Sequence, residues 1–357
     1  MFASQFASQF ISPPPATAIP WKRRVLLNLE RAMDWTGVGS AYVKVRGVGG
    51  AIVLMYHSIA PPELARWIDP GVRKTPEIFE WQMQFLARHR RPISLSQLLA
   101  ELDRGETPPA GTVVVTFDDT YQDNLTVAAP ILARYGIPAT WYLPTGWINR
   151  GENPWIDRLY TAFGTRTQNR LLLDIGNWDL SDTVQRDAAY TTLIEALIGA
   201  TYNDRERLIT QVIDRLQPTE TPPRLILSWE EIRTALREFP YLEMGLHGTH
   251  HIDLSHSSPG KVRSDIEGCI ADYRRELKRD PVHFAFPYNR HSNAARSLLR
   301  ELGLHSAMGS GGDELVCVGA DRFAIARIDP PPERSLFRFY TSGAFPSLPK
   351  TLLGRAA

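Results

Sequence analysis

Two short polar motifs that lie far apart in the sequence place the strongest constraint on the fold. Residues 116–120 (TFDDT) put two adjacent carboxylates at the end of an apolar run, and residues 247–251 (HGTHH) put two imidazoles four residues apart. Adjacent carboxylates repel each other unless they share a cation, and histidines at this spacing on one helical turn point to the same side. If both motifs serve one site, the fold must bring them together.

A divalent metal site is the chemistry that these residue types favour. One carboxylate of Asp118-Asp119 together with His247 and His251 supplies three protein ligands and leaves a position open for water, the layout of a catalytic metal site. The nitrogen and oxygen ligands suit Zn²⁺, with Co²⁺ or Ni²⁺ as alternatives. The second carboxylate is free to accept a proton from that water. The alternatives without a metal are an aspartate pair at a loop or helix cap and a histidine-rich surface turn.

Short apolar runs alternate with helical patterns along most of the chain. Runs such as 51–56 and 112–117 are predicted strands buried on both faces, and the alternation predicts an α/β fold with a parallel sheet or barrel. Further strands are predicted at 139–143, 241–246, 281–286, 306–308 and 323–328. Polar residues follow several strands, at the barrel end where reactive side chains collect. Residues 150–227 interrupt the alternation and predict an inserted helical lobe.

Length and charge limit the domain organisation and the partners. The chain has 357 residues, enough for one large barrel, and its formal net charge of +1 gives no electrostatic signature of nucleic-acid binding. We predict an N-terminal extension at 1–48, disordered and then helical, a barrel at 49–345 that contains the lobe, and a tail at 346–357.

The N-terminal segment bears on the location of the protein. No apolar run approaches the roughly 20 residues of a membrane-spanning helix, and the basic cluster at 22–24 follows the apolar part instead of preceding it, unlike a secretory signal. These features predict a cytoplasmic protein. Residues 21–45 are predicted as an amphipathic helix packed on the domain. The alternative is peripheral contact of this helix with the inner face of a membrane.

Taken together, the motifs resemble those of the polysaccharide deacetylases that carry a NodB-homology domain, carbohydrate esterase family four. The resemblance runs from about Ile52 to Ile328 and rests on the joint order of several short segments, none of which is specific alone. The segments are 54–58 (LMYHS), 116–124 (TFDDTYQDN), 136–143 (GIPATWYL), 228–231 (SWEE), 244–251 (MGLHGTHH) and 284–288 (FAFPY).

The resemblance implies a distorted (β/α)7-type barrel and metal-dependent removal of an N-acetyl group from an amino sugar, with release of acetate. By motif position it implies Asp118 as the general base and Asp119, His247 and His251 as metal ligands. A general acid must protonate the leaving amine, since an amide nitrogen leaves poorly without a proton. The implied partner is a carbohydrate, either a polysaccharide or its precursor.

Three positions depart from the family pattern around the metal and the base. Thr120 stands where glycine usually ends the first motif, and Gly248 stands where serine or threonine usually follows the first histidine. Phe286 occupies the place of an arginine that tethers the base. Arg290 and Arg327 are the candidate substitutes for this arginine.

The general acid and the sugar contacts are less evident. Residues 302–305 (LGLH) have the letters of the family's late Leu-x-x-His motif but precede a predicted strand, which leaves His57 as the candidate acid. His57 ends the first strand, where a core imidazole is the alternative. The backbone N–H of Tyr288 is a candidate oxyanion donor. The candidate sugar contacts, for which core packing is the alternative, are Tyr288, Pro287, Trp155 and Asp157.

Two other classes of function stay open. The same metal site would serve a deformylase, an O-deacetylase or another small-amide hydrolase, which a panel of acyl substrates would separate. The missing tether and acid also fit a non-catalytic carbohydrate-binding relative, which would bind glycan without turnover at any metal.

Overall fold

The computed structural model describes residues 49–311 and 315–344. The predictions for the extension at 1–48 and the tail at 346–357 lie outside the described residues. Within the described ranges, no helix is both long enough and apolar enough to cross a membrane. The cytoplasmic location and the membrane contact stay predictions.

The described chain alternates strands and helices. The strands are β1 (Ala51–Tyr56), β2 (Ser58–Ile59), β3 (Arg73–Lys74), β4 (Arg91–Pro92), β5 (Thr112–Phe117), β6 (Ala139–Leu143), β7 (Arg170–Leu173), β8 (Gly176–Asp179), β9 (Leu242–Leu246), β10 (His283–Ala285), β11 (Ser306–Gly311) and β12 (Ile325–Arg327). The helices are α1 (Pro62–Ala65), α2 (Pro76–His89), α3 (Leu95–Asp103), α4 (Ala129–Tyr135), α5 (Thr145–Arg150), α6 (Trp155–Gly164), α7 (Thr183–Gly199), α8 (Tyr202–Leu216), α9 (Trp229–Glu238), α10 (Pro259–Leu277), α11 (Asn293–Glu301) and α12 (Arg334–Tyr340).

One parallel sheet forms the frame of the molecule. Its strand order is β1-β5-β6-β9-β10-β11-β12, and the short strand β4 also pairs with β5. The chain after β12 returns to β1, because Ile328 N donates to Val53 O at 2.9 Å and Met55 N donates to Ile328 O at 2.9 Å. These bonds make the sheet a nearly closed barrel, which confirms the predicted distorted (β/α)7-type fold.

The continuous apolar strands are explained by burial on both faces. Ile52 and Leu54 of β1 pack in the large core beneath the helices, whereas Ala51 and Val53 pack in a second core with residues of the other strands. Successive side chains of a strand point to opposite faces, so a strand covered on both sides needs apolar residues at every position. The absence of alternation between polar and apolar residues at 51–56 therefore indicates a strand that is buried on both faces.

The inserted lobe contains a feature that the sequence interpretation missed. The lobe is mainly helical, as predicted, and has its own apolar core, but β7 and β8 pair as an antiparallel hairpin. Each of these strands has four residues, and side chains such as Leu172 are exposed. A hydrophobic alternation over so few residues is too short to distinguish a strand from a helical turn.

A buried carboxyl group lies where the lobe meets the barrel. Asp157 of α6 accepts hydrogen bonds from the Tyr121 hydroxyl at 2.7 Å and from Asp69 N at 2.8 Å. Asp157 is fully buried, so it lies in a packed contact between lobe and barrel. Burial raises the pKa of Asp157 from 3.8 to about 8, because the two hydrogen bonds only partly offset the cost of removing a charge from water.

The pH dependence of stability tests this burial. Because the folded-state pKa is raised, the stability that the protonated acid provides is fully present below about pH 4 and is lost as the pH rises through about 8. Asp157→Asn mimics the neutral acid. As the pH rises between these limits, the unfolding free energy of the variant should increase relative to that of the wild type by up to about 1.4 kcal/mol per pH unit.

Urea unfolding of chelator-treated protein across this pH range measures the difference, and the chelator removes any contribution from metal release. An identical pH dependence for the variant and the wild type would contradict a neutral carboxyl group at this contact.

Candidate metal and catalytic site

The two polar motifs meet at the carboxyl ends of neighbouring parallel strands. Asp118 and Asp119 directly follow β5, and His247 directly follows β9. The chain leaves β5 through a left-handed turn, with a φ of 68° at Asp119 and 52° at Thr120. Glycine favours this region, which accounts for the family's usual glycine at the position of Thr120. With this turn, Asp118 faces Arg327 while Asp119 faces the histidines.

Asp119, His247 and His251 form a compact group of metal-ligand atoms. Asp119 Oδ1 lies 3.6 Å from His247 Nε2 and 3.3 Å from His251 Nε2. All three side chains are buried, and one ligand atom from each lies within 4.8 Å of the others. His247 Nδ1 is 2.7 Å from the carbonyl oxygen of Ala285, which leaves Nε2 directed at the group. The structure thus brings together the three predicted ligands.

The environment of Asp119 fits a bound cation. Its Oδ1 is buried, and no residue of the described chain donates a hydrogen bond to it. Burial, together with the negative charge of Asp118, raises the pKa of Asp119 well above its usual value. A divalent cation would remove this penalty by supplying the missing positive charge. One carboxylate and two imidazoles are a donor set that Zn²⁺ accepts.

The local structure of the histidine motif corrects the sequence interpretation. Residues 247–251 form a loop after β9 and not a helical turn, with a φ of 76° at Gly248 and 49° at His251. A Cβ atom at Gly248 would lie 2.6 Å from the Asp265 carboxylate, which explains glycine at this position. The imidazoles converge because the chain reverses. His250 points away from the metal group and stacks on Tyr202 with ring centroids 4.5 Å apart.

Arg327 provides the contact to Asp118 that the sequence left open. Its Nη1 and Nη2 each donate to one carboxylate oxygen of Asp118 at 2.7 Å, and Nη2 also donates to Asn289 Oδ1 at 2.8 Å. The other candidate, Arg290, pairs with Asp253. Burial alone would raise the pKa of Asp118, but the charge and hydrogen bonds of Arg327, together with the neighbouring imidazoles of His247 and His57, outweigh burial and lower the pKa to about 2. Asp118 is therefore held ionised.

His57 lies at the end of β1, close to the charged residues of the site. Asn124 Nδ2 donates to its backbone carbonyl at 2.7 Å. Burial lowers the pKa of its imidazole to about 4, although the nearby Asp118 charge opposes this shift. Residue 57 as a whole is half-buried. His305, by contrast, directly precedes β11 and lies at the other end of the barrel from Asp118.

The predicted sugar contacts surround the second histidine. The Tyr288 hydroxyl donates to the carbonyl of His251 at 3.1 Å and accepts from Trp155 Nε1 at 3.0 Å. The Trp155 indole and Pro287 are buried, while Tyr288 is half-buried. Their described contacts are with other residues of the protein, and their roles toward a sugar stay predictions.

Sequence reasoning missed one residue that contacts this site. Arg205 of α8 is fully buried, and its Nη1 donates to the carbonyl of His251 at 2.7 Å. A signal was present, because the helical repeat places Arg205 on the same face as Ile209, Val212 and Leu216. An arginine in an otherwise apolar helical stripe requires buried hydrogen-bond partners.

The fold and the site define a parallel α/β barrel with a candidate cation centre at the carboxyl ends of its strands. The family model for polysaccharide deacetylases matches residues 105–307, and the chain belongs to this family. A protein of Bacillus subtilis (strain 168), YxkH, whose name assigns it provisionally to the polysaccharide deacetylases, is 30% identical over 105 residues. That match covers 29% of this chain and 35% of the length of YxkH.

Two solved structures have a similar fold. The deacetylase PplD of Streptococcus pyogenes, in complex with acetate, aligns with a TM-score of 0.54 and 16% identity over 82% of this chain and 97% of its own. IcaB from Ammonifex degensii aligns with a TM-score of 0.55 and 16% identity over 83% of this chain and 98% of its own. At this identity, the likeness concerns the fold alone.

Unfolding measurements test the ion pair. Arg327→Met leaves the buried Asp118 carboxylate without a counter-charge and should lower the free energy of unfolding by about 3–5 kcal/mol. The double variant Asp118→Asn/Arg327→Met removes both charges and should recover most of this loss. Urea titration with chelator present measures all three proteins. Equal destabilisation of the single and double variants would contradict a dominant pairing of these two residues.

Proposed function

We propose that the protein is a metal-dependent hydrolase that removes N-acetyl groups from the amino sugars of a polysaccharide or its precursor. Membership of the polysaccharide deacetylase family supports this proposal. The observation that carries it is the convergence of Asp119, His247 and His251 beside a second carboxylate, Asp118, that Arg327 keeps ionised. In this arrangement one set of residues can bind the metal, while a separate carboxylate, that of Asp118, can accept a proton.

Asp119, His247 and His251 would hold the metal ion, for which Zn²⁺ is the first candidate and Co²⁺ or Ni²⁺ the alternatives. When bound there, such an ion would polarise the acetamide carbonyl and lower the pKa of a water molecule. Asp118 Oδ2 lies 3.7 Å from His247 Nε2, so its carboxylate adjoins the ligand group without being part of it.

Asp118 acts as the general base in this proposal. Its carboxylate accepts a proton from the attacking water while the water oxygen adds to the acetamide carbon. The two hydrogen bonds from Arg327 fix the orientation of the carboxylate and keep it unprotonated at neutral pH. The backbone N–H of Tyr288 is the proposed donor to the oxyanion that forms. Pro287, Tyr288 and Trp155 form the proposed sugar-binding wall.

His57 acts as the general acid. The carbon–nitrogen bond breaks with a proton delivered to the nitrogen, so that the amine leaves neutral and acetate is the other product. Because burial lowers its pKa to about 4, the imidazole is neutral at rest and must first accept a proton before it can donate one. Residue 57 is half-buried, and solvent is the proposed source of that proton.

Acetate release tests the proposed activity. The full-length protein, incubated with an oligomer of N-acetylglucosamine as the probe, should release acetate, lose this activity in a chelator and regain it with Zn²⁺ or Co²⁺. Asp118→Asn should lower kcat by about 10²–10⁴-fold, because the base is lost, and should still bind Zn²⁺. Asp119→Asn should lose Zn²⁺ binding.

Other acyl groups distinguish the rival activities. A matched set of N-formyl and O-acetyl substrates identifies a deformylase or an O-deacetylase if either exceeds the N-acetyl substrate in kcat/KM. Saturable oligosaccharide binding with no acyl release at any metal would contradict an enzyme and favour a binding protein. Full activity in Asp118→Asn would contradict the assignment of the base.

Leaving-group dependence tests His57. His57→Gln should lower kcat for the N-acetyl substrate by about 10²-fold or more, because the amine needs a proton to leave. An activated aryl acetate has a leaving group that needs no proton, so the same variant should lose far less activity toward it. Equal losses on both substrates, or no loss on the amide, would remove His57 from the role of acid.

A further inference from the structure

The two candidate histidine ligands are oriented in different ways. His247 has a hydrogen-bond partner for its second ring nitrogen, the carbonyl of Ala285 at 2.7 Å. The Nδ1 atom of His251 is buried, and no other described residue forms a hydrogen bond with it. Metal-binding histidines almost always use the second nitrogen to fix the ring. The position of the His251 imidazole must therefore depend on its ring contacts and on its backbone.

Besides the other candidate ligand, His247, whose ring centroid lies 4.7 Å away, two aromatic side chains contact the ring of His251. Trp147 stacks on the imidazole with ring centroids 4.8 Å apart, and Tyr288 meets it edge-on at 4.7 Å. These contacts restrict the tilt of the ring. They do not determine where the Cα–Cβ bond points, which depends on the backbone. His251 has a φ of 49°, a left-handed conformation that residues other than glycine keep only where the surroundings hold it.

Arg205 of the inserted lobe holds the backbone of His251. Its Nη1 donates to the His251 carbonyl at 2.7 Å, and its Nη2 donates to the His250 carbonyl. The Tyr288 hydroxyl donates to the same His251 carbonyl at 3.1 Å. Among residues 49–311 and 315–344, no carboxylate forms an ion pair with Arg205, so its acceptors are these two carbonyls and the Tyr288 hydroxyl, which lies 3.3 Å from Nη1.

The barrel holds the same loop through a second charged side chain. Asp265 of α10 accepts hydrogen bonds from Thr249 N at 3.0 Å and from His250 N at 2.9 Å. The backbone donors of the loop are thus bound by an anion on a barrel helix, and its backbone acceptors by a cation on a lobe helix. Both interactions act on the turn that aims His251 at Asp119.

We propose that Arg205 is a positioning residue for the metal ligand His251, and that the inserted lobe completes the metal site through this side chain. The inference rests on the proposed metal site at Asp119, His247 and His251. It gives the lobe a function beyond packing, because one fully buried guanidinium links a lobe helix to the backbone of a ligand.

A matched control separates positioning from simple stabilisation of the lobe. Arg166 also lies in the lobe, and its guanidinium also donates to two backbone carbonyls, those of Phe163 and Leu180. Neither carbonyl belongs to the ligand loop. Arg205→Met and Arg166→Met therefore remove the same chemical groups from the same lobe, but only the first touches His251.

Zn²⁺ affinity of the metal-free full-length chain tests the proposal. Titration against a fluorescent chelator should give about 10- to 100-fold weaker binding for Arg205→Met and unchanged binding for Arg166→Met. Arg205→Lys should be intermediate, since an ammonium group keeps the charge but lacks the planar fork that reaches two carbonyls. The visible absorption of the Co²⁺-loaded protein, which reports ligand geometry, should change only in the Arg205 variants.

Affinity in Arg205→Met equal to the wild type, or reduced no more than in Arg166→Met, would overturn the proposal. If circular dichroism finds Arg205→Met unfolded, the Zn²⁺ affinities of Arg205→Lys and Tyr288→Phe are compared with the wild type in the same way. Tyr288→Phe removes one donor to the His251 carbonyl and keeps the ring. His251→Ala reports on the site itself. Unchanged Zn²⁺ binding in His251→Ala refutes the metal site, whereas loss there with intact binding in the Arg205 variants refutes only the positioning role.

Discussion

The buried ion pair between Asp118 and Arg327 is the interaction on which the site depends. Arg327 ends β12 and Asp118 follows β5, and β1 lies between them, hydrogen-bonded to both through the barrel closure. The pair compensates the charge of one of the two adjacent carboxylates, whereas no Lys or Arg of the described residues forms an ion pair with Asp119, and its pKa is raised. The two imidazoles beside it have pKa values that burial lowers. A divalent cation would favour the ionised form of Asp119, which makes the position suitable for a metal. The segment that closes the barrel at Ile328 therefore also places Arg327 against Asp118.

The remainder of the site is built from loops that the barrel and the lobe hold in unusual backbone conformations. Two of the candidate ligands, Asp119 and His251, have positive φ values, and so does Tyr288, which packs against His251. Such conformations persist only where surrounding contacts hold them, and here the contacts come from Arg205, the aromatic rings and the strand ends. With the proposed role of Arg205, the lobe contributes to the metal site, although its own apolar core is separate from that of the barrel.

Local signals in the sequence predicted the barrel and a group of carboxylates and imidazoles, whereas the choice of Asp119 over Asp118 as the ligand came from the resemblance to the family. Uninterrupted apolar runs identify strands buried on two faces, and carboxylates or imidazoles at strand ends identify the reactive end of the barrel. The choice between Arg290 and Arg327 depended on which strand closes the barrel, which no local pattern encodes. The spacing of His247 and His251 fits a helical turn and a reversing loop equally well. To predict the role of Arg205, one would need to know which loop its helix faces in the fold.

Anomalous diffraction at the zinc edge, from crystals of the full-length protein grown with Zn²⁺, tests the central claim most directly. One strong peak is expected at about 2.0–2.2 Å from an oxygen of Asp119 and the Nε2 atoms of His247 and His251, with Asp118 bound to Arg327 and not to the ion. A map with no peak at these residues, or with Asp118 replacing one of the three ligands, would contradict the account.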